Sequence, residues 1–170
     1  IPVRRVENGF VSYSLLETGK PGDEFESTSP AGNFYFNPLF HEKSMVCLAG
    51  GSGVTPFMSM IRDVTDRGLD RTIHLIYGRR GEDDIIFHGE LKDRAARHAN
   101  FIYTPVISEP PKSCRELTGF ITAELMRKVL RDTASKTYYI CGPSGMYDFC
   151  MPELEKIGIP ARRVRREMFG

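Results

Sequence analysis

The sequence predicts an α/β protein with a five-stranded, doubly wound parallel sheet. Two observations carry that expectation. From residue 43 onward, short apolar runs alternate with helical segments. This is the rhythm of right-handed βαβ units whose helices cover both faces of a sheet. Two of the runs also end in glycine-rich turns that lead into a helix, at residues 50–56 and 142–146.

Before residue 43 the pattern differs. Residues 3–6, 10–16 and 24–28 read as short strands. Turn signals separate them at Asn8-Gly9, Lys20-Pro21-Gly22-Asp23 and Ser29-Pro30-Ala31-Gly32. A few short antiparallel strands make a poor core by themselves. Residues 1–42 are therefore expected to be the tail of a larger β structure, and residues 43–170 the α/β domain. In that domain residues 45–49 form the first strand. A helix follows over 57–67, with Thr55 as N-cap, Pro56 at the first helical position and Gly68 past the end. A strand at 73–77, a helix at 89–98 and a strand at 101–107 continue the alternation. Next come a helix at 123–131 capped by Thr122 and a strand at 137–141. A further helix runs to about residue 157, with a kink expected at Pro152, and residues 164–168 close as the fifth strand. The expected strand order is 3-2-1-4-5.

Composition removes several function classes. The 170 residues are 41% hydrophobic and 26% charged, ordinary for a globular domain. A formal net charge of +1 gives no general attraction to nucleic acid or anionic lipid. No apolar run is long enough to span a bilayer, and the start at Ile1-Pro2-Val3 has no signal-peptide core. That start also lacks an initiator Met, which reads as a fragment or a processed product. Cys47, Cys114, Cys141 and Cys150 contain no C-x-x-C pair. His41, His74, His88 and His98 show no metal-ligand spacing. No metal site is expected, and the cysteine usage fits a reducing cytoplasm.

The residues that could carry chemistry lie at strand ends. Gly50, Gly51, Ser52, Gly53, Val54, Thr55 and Pro56 leave an apolar strand and open a helix. Glycines let a backbone approach a pyrophosphate closely, and a helix N-terminus offers free N–H groups and a positive dipole end. The same glycines also serve a tight turn that holds no ligand. Cys141, Gly142, Pro143 and Met146 repeat the arrangement after a later strand. The alternative there is a buried core thiol followed by a plain Gly-Pro turn. Ligands of doubly wound sheets sit outside the carboxyl ends of the strands, where both loops belong. Tyr77, Gly78, Arg79 and Arg80 end the second strand, which in dinucleotide folds faces the adenosine ribose. Read blandly, they are a solvated turn with two surface arginines. Arg162, Arg163, Arg165 and Arg166 read as the solvated edge of the last strand; docking of an acidic electron-transfer partner is the functional alternative.

Taken in order, these segments resemble the ferredoxin–NADP reductase family. That family joins an antiparallel flavin-binding barrel to a Rossmann-like domain for the nicotinamide nucleotide. Gly9, Phe10, Val11 and Ser12 are similar to its G-x-x-S segment, which holds the FAD pyrophosphate. Pro30-Ala31-Gly32-Asn33-Phe34 is similar to its P-x-G-x-F turn. Residues 50–56 resemble its G-G-x-G-x-T-P loop at the nucleotide pyrophosphate, and the resemblance puts Thr55 near the nicotinamide. Cys141-Gly142-Pro143 with Met146 resembles C-G-P-x-x-M, whose Cys lies beside the reacting carbon. Glu167-Met168-Phe169 resembles the terminal Glu-x-aromatic, whose ring covers the flavin. Two departures stand out. The family's flavin-binding R-x-Y-S/T segment would precede Ile1, and Gly170 directly follows Phe169.

The resemblance implies an oxidoreductase that passes a hydride from NAD(P)H to FAD in the full-length parent. Electrons then go on to an iron–sulfur domain or another redox protein. Thr55, Cys141, Phe169 and Glu167 are the expected catalytic residues, in the sense of positioning the two rings. NADH is expected over NADPH. In NADPH-using relatives an Arg commonly follows the Ser corresponding to Ser108; here Glu109 follows it, and a carboxylate repels a 2′-phosphate. Arg79 and Arg80 argue the other way, unless Glu82, Asp83 and Asp84 occupy them. Two other readings remain open: a nicotinamide-nucleotide-binding module inactive alone, and an electron-transfer subunit of a larger complex. A flavin-free dehydrogenase is least favoured, because no substrate-side acid–base set is visible.

Overall fold

The structure is a computed structural model that describes residues 3, 5–29, 31–81 and 85–168. The chain forms two compact units, Ile1–Asn33 and Phe34–Gly170.

The first unit corrects the expectation of antiparallel strands. Among the described residues no strand precedes Ser44. Helix α1 (Phe10–Tyr13) instead runs into a π-helical turn at Ser14–Thr18. The Tyr13 N–H donates to the Gly9 carbonyl at 2.9 Å, and the Gly19 N–H to the Ser14 carbonyl at 2.9 Å. A segment without a ladder partner must satisfy its amides locally, and helical turns do so. The apolar residues that read as a strand also recur at helical spacing, Phe10 with Tyr13 and Val11 with Leu15. An ion pair between Arg5 and Glu17 at 2.9 Å closes this turn region.

In the second unit the chain alternates as expected. Strand β1 (Ser44–Gly50) leads through a 3-10 turn at Gly51–Gly53 into α2 (Val54–Asp66). Then follow β2 (Thr72–Arg79), α3 (His88–Arg97) and β3 (Phe101–Ile107). The short strand β4 (Leu117–Thr118) precedes α4 (Ala123–Val129) and β5 (Thr137–Gly142). Helix α5 (Ser144–Lys156) and β6 (Val164–Met168) complete the unit. All strands pair in parallel, in the order β4-β3-β2-β1-β5-β6. The expected order holds for the five main strands. The sixth, β4, is two residues long, too short to leave a periodic signal.

The central strands β1, β2 and β5 bury both faces. In β1, Met45, Cys47 and Ala49 pack under α2 and α3 with Phe57, Ile61 and Leu91. Val46 and Leu48 face the other way, toward Met126 of α4 and Leu154 of α5. Two-sided burial explains why the parallel strands read as continuous apolar runs.

Two local expectations are corrected. Helix α2 begins at Val54, and its N-cap is Gly53 without a side-chain cap. Thr55 lies inside the helix, and its Oγ1 donates to the Ser52 carbonyl at 2.8 Å. Proline is tolerated in the first turn, where its missing N–H has no helical partner, so Pro56 does not mark the start. Thr122 does cap α4, accepting from the Leu125 N–H at 3.2 Å. Helix α5 runs through Pro152, whose ring nitrogen leaves the Asp148 carbonyl without its usual amide donor.

Candidate functional site

The chain leaves β1, builds β2 and β3 on one side, then returns to place β5 on the other. The carboxyl ends of β1 and β5 therefore flank the point where strand order reverses, the usual ligand crevice of such sheets. Register brings the expected segments to one edge. Ala49 lies opposite both Tyr77 and Cys141, Gly50 opposite Gly78, and Cys141 opposite Glu167.

Glycines lock the two crevice loops together, backbone against backbone. A Cβ on Gly53 would lie 2.0 Å from the Cys141 carbonyl oxygen. One on Gly142 would lie 3.2 Å from the Gly50 Cα, and one on Gly50 would lie 2.5 Å from the Met146 sulfur. Gly53, Gly50 and Gly142 thus serve loop-to-loop packing, and Met146 closes over them. Val54 is fully buried and belongs to the core. Pro143 is the residue before α5.

Gly51 does something else. Its φ of +57° is a left-handed conformation that glycine adopts without strain. The Tyr77 hydroxyl donates to its carbonyl at 2.7 Å, holding the turn from below. Tyr77 is fully buried, so it anchors the loop, whereas Ser52 at its crest is exposed.

The basic pair after β2 splits. A Cβ on Gly51 would lie 3.3 Å from Arg79 Nη1, so that guanidinium rests against the loop. Arg79 Nε is buried and has no acceptor. Arg80 turns the other way and pairs with Glu109, Nε to carboxylate 3.8 Å, both well exposed. The backbone sets this pairing: the Ser108 N–H donates to the Arg79 carbonyl and the Glu109 N–H to the Arg80 carbonyl, each at 2.9 Å. Glu82, Asp83 and Asp84 lie outside the described residues.

Cys141 is fully buried among Tyr139 and the α2 face. Burial, with the Glu167 carboxylate second, pushes its thiol up to about 12. It is a neutral, buried thiol and not a nucleophile. Glu167 is exposed, and Phe169 lies outside the described residues. Gly9, Phe10, Val11 and Ser12 belong to the first unit. There the Ser12 hydroxyl donates to the Gly9 carbonyl at 3.1 Å and accepts from the Val6 N–H at 3.2 Å.

One feature of this edge left no sequence motif. Phe120 precedes Ile121, whose side chain lies 3.5 Å from where a Gly78 Cβ would be. Phe149 lies one turn beyond Met146 on α5. Their rings are 5.8 Å apart and stay 64% and 40% exposed. Such a surface suits stacking by a flat ring. Among the described residues no group of three His, Cys, Asp or Glu could hold a metal ion, and no helix is long and apolar enough to cross a membrane.

Comparison with known proteins agrees with this geometry. Residues 47–151 match the family model of the oxidoreductase NAD-binding domain. The chain is 28% identical, over 99% of its length, to the toluate 1,2-dioxygenase electron transfer component of Pseudomonas putida. It is 34% identical, over 81% of its length, to NADH-cytochrome b5 reductase 1 of Dictyostelium discoideum. It spans about half of each relative, 49% and 48%. Among solved structures, a cytochrome P450 reductase from Amycolatopsis superposes with a TM-score of 0.80 at 29% identity, over 98% of this chain and 50% of that one. From its sheet, its crevice loops and these relatives, the chain belongs to the oxidoreductase NAD-binding domain family, in its ferredoxin reductase-like branch.

Proposed function

We propose that this chain is the nicotinamide-nucleotide-binding half of an NAD(P)H-dependent flavin oxidoreductase. One observation carries the reading: the Gly50–Ser52 and Cys141–Met146 loops meet at the strand-order reversal, flanked by Arg79, Arg80 and Glu109 on neighbouring strand ends. From β5 through β1 and β2 to β3 is about 14 Å at normal strand spacing, a span suited to an extended dinucleotide. On this reading Thr55 and Cys141 flank the nicotinamide, and Gly51 and Ser52 hold the pyrophosphate with Pro56 and the start of α2 behind them. Ser108 and Glu109 meet the adenosine ribose, and Phe120 and Phe149 offer a face to the adenine.

When bound, a nicotinamide nucleotide would supply a hydride for a flavin acceptor. This chain's residues bind and orient. Cys141, held neutral and buried, leaves no charge beneath the ring. The α2 N-terminus favours the negative charge of the phosphates. Phe169 and Glu167 are proposed to border the ring on the flavin side. For FAD itself the fit is incomplete, because the Ser12 hydroxyl already bonds within its own turn. This favours, as second reading, a chain that binds the nucleotide but has no redox activity alone.

The Arg80–Glu109 pair supports NADH over NADPH. The carboxylate offsets the guanidinium and would repel a 2′-phosphate. By analogy with the relatives, the proposed electron acceptor is an oxygenase or cytochrome-type redox protein, an iron–sulfur domain being one candidate. Two arginines of the basic run are engaged within the unit, Arg165 with the Arg162 carbonyl at 2.9 Å and Arg166 over the Tyr147 ring at 4.6 Å. That supports reading this run as strand edge. Cytoplasmic residence is proposed from the sparse cysteine usage without a C-x-x-C pair.

Calorimetric titration with NAD+ and NADP+ at low ionic strength tests the reading. Binding of NAD+ in the micromolar-to-millimolar range, about tenfold tighter than NADP+, is expected from a like-charge penalty of ~1–3 kcal/mol. No binding of either sinks the dinucleotide assignment. Tighter NADP+ sinks the preference alone.

A further inference from the structure

We infer that Arg79 is a pyrophosphate ligand, separate in role from Arg80, which belongs to the ribose end. This rests on the dinucleotide reading above and assigns the two arginines to different parts of that ligand. Side chains two apart on a strand share a face, so Arg79 lies on the same side of β2 as Tyr77. Both converge on Gly51: the Tyr77 hydroxyl holds its carbonyl at 2.7 Å, and Arg79 Nη1 lies 3.3 Å from where its Cβ would be. A Cβ at Gly51 would press on that guanidinium and make it shift. The left-handed Gly51 thus serves Arg79 as well as the turn.

Among the described residues Arg79 has no carboxylate partner, whereas the neighbouring Arg80 pairs with Glu109. Its Nε is buried without an acceptor. A buried donor left without a partner calls for an explanation, and an anion arriving on the loop would supply the countercharge. Strand order says which anion. Arg79 touches the β1 loop, the middle of the proposed ligand path, while Arg80 pairs toward β3, one strand further out. The group over β1 is the pyrophosphate, and the group beside β3 carries the 2′ position. A planar guanidinium is well matched to phosphate oxygens.

The test is calorimetry on the 170-residue chain with NAD+, NADP+ and ADP-ribose. ADP-ribose keeps the pyrophosphate and lacks nicotinamide. Arg79→Gln should weaken all three by a common factor of about tenfold to a hundredfold, the usual worth of a charge-assisted hydrogen bond. It should also flatten the dependence of affinity on salt. Arg79→Lys, which keeps the charge and the fold, should recover part of the loss. Arg80→Gln should change the ratio of NADP+ to NAD+ affinity, a ratio that Arg79→Gln should leave unaltered. A loss confined to NADP+ in Arg79→Gln would make Arg79 a 2′-phosphate ligand and overturn the inference. So would unchanged affinities in both Arg79 variants. Failure of the unsubstituted chain to bind NAD+ or ADP-ribose overturns the dinucleotide reading first, and this inference with it.

Discussion

Two glycines in one loop answer to different constraints. Gly53 meets the Cys141 carbonyl, with no room for a Cβ, while Gly51 has a positive φ and lies against the Arg79 guanidinium. Gly53→Ala should therefore act as a stability mutation. Its methyl would press on strand backbone, and overpacking of that kind costs about 1–3 kcal/mol or more. A fall in the urea midpoint should accompany any loss of NAD+ affinity; lost affinity at unchanged stability would make Gly53 a ligand contact. Cys141 invites a chemical probe. A thiol pushed up to about 12 and fully buried is almost entirely unionised at pH 8. In the native chain iodoacetamide should label half-buried Cys114 well before Cys141, and Cys141 should react only in urea. Mass spectrometry finding early label on Cys141 would mean that the crevice opens readily.

The α2–α3 pair is tied by charge as well as by its apolar face. Glu90 accepts from Arg62 at 2.9 and 2.7 Å and from Arg94 Nε at 2.9 Å. These bonds, the one from Arg62 foremost, hold its carboxyl at about 2, below the ordinary 4.5. A carboxylate depressed in the fold stabilises fully above the unfolded value, and the contribution fades as pH falls from about 4.5 toward 2. Partial hydration trims it to about 1–2 kcal/mol. Glu90→Gln should lower Tm at pH 7, with the gap to the parent closing across that window; a gap constant down to pH 2 would refute the assignment. His74 works over a higher window. Burial lowers its imidazole to about 4, and Thr104 Oγ1 meets its Nε2 at 2.8 Å. The unfolded chain takes up that proton near pH 6.5 and the fold only near 4. Stability should thus decline as pH drops between those values, and His74→Gln should flatten the slope. The elements themselves were legible to different degrees. The buried strands announced themselves as apolar runs, whereas the start of α2 was disguised by a Thr-Pro pair that imitates a cap and first turn. The 10–16 segment fitted both periods, and only the lack of a ladder partner decided it.

At the scale of the molecule, sequence order was enough to bring the crevice loops to one sheet edge, because βαβ handedness leaves few alternatives. What it concealed was non-local: Tyr77 holding Gly51 from 26 positions away, Arg80 paired with Glu109, and Phe120 beside Phe149. Residues 34–42 are the largest such case. They were expected with the β remnant, yet Phe34 packs its ring 5.7 Å from Phe57 and 5.6 Å from Tyr139. Phe36 lies under the Arg71 guanidinium at 3.7 Å, and the Glu42 N–H donates to Thr137 Oγ1 at 2.9 Å. His41 Nδ1 accepts from the Asn37 N–H at 2.9 Å, and the Arg165 guanidinium lies beside the same ring. These contacts make the segment part of the nucleotide-binding unit. A chain cut to residues 34–170 should then unfold cooperatively with a Tm close to that of the full chain. One cut to residues 43–170 strips two aromatic rings from the sheet and leaves the Thr137 and Arg165 partners unmet. Large-to-small losses at half-buried aromatic sites suggest a penalty of about 2–4 kcal/mol, or roughly 10 °C in Tm for a domain of this size. Calorimetric scans of the two truncations decide between the boundaries. Equal melting temperatures would return residues 34–42 to the first unit, and a collapse of both would mean that residues 1–33 hold the sheet domain together.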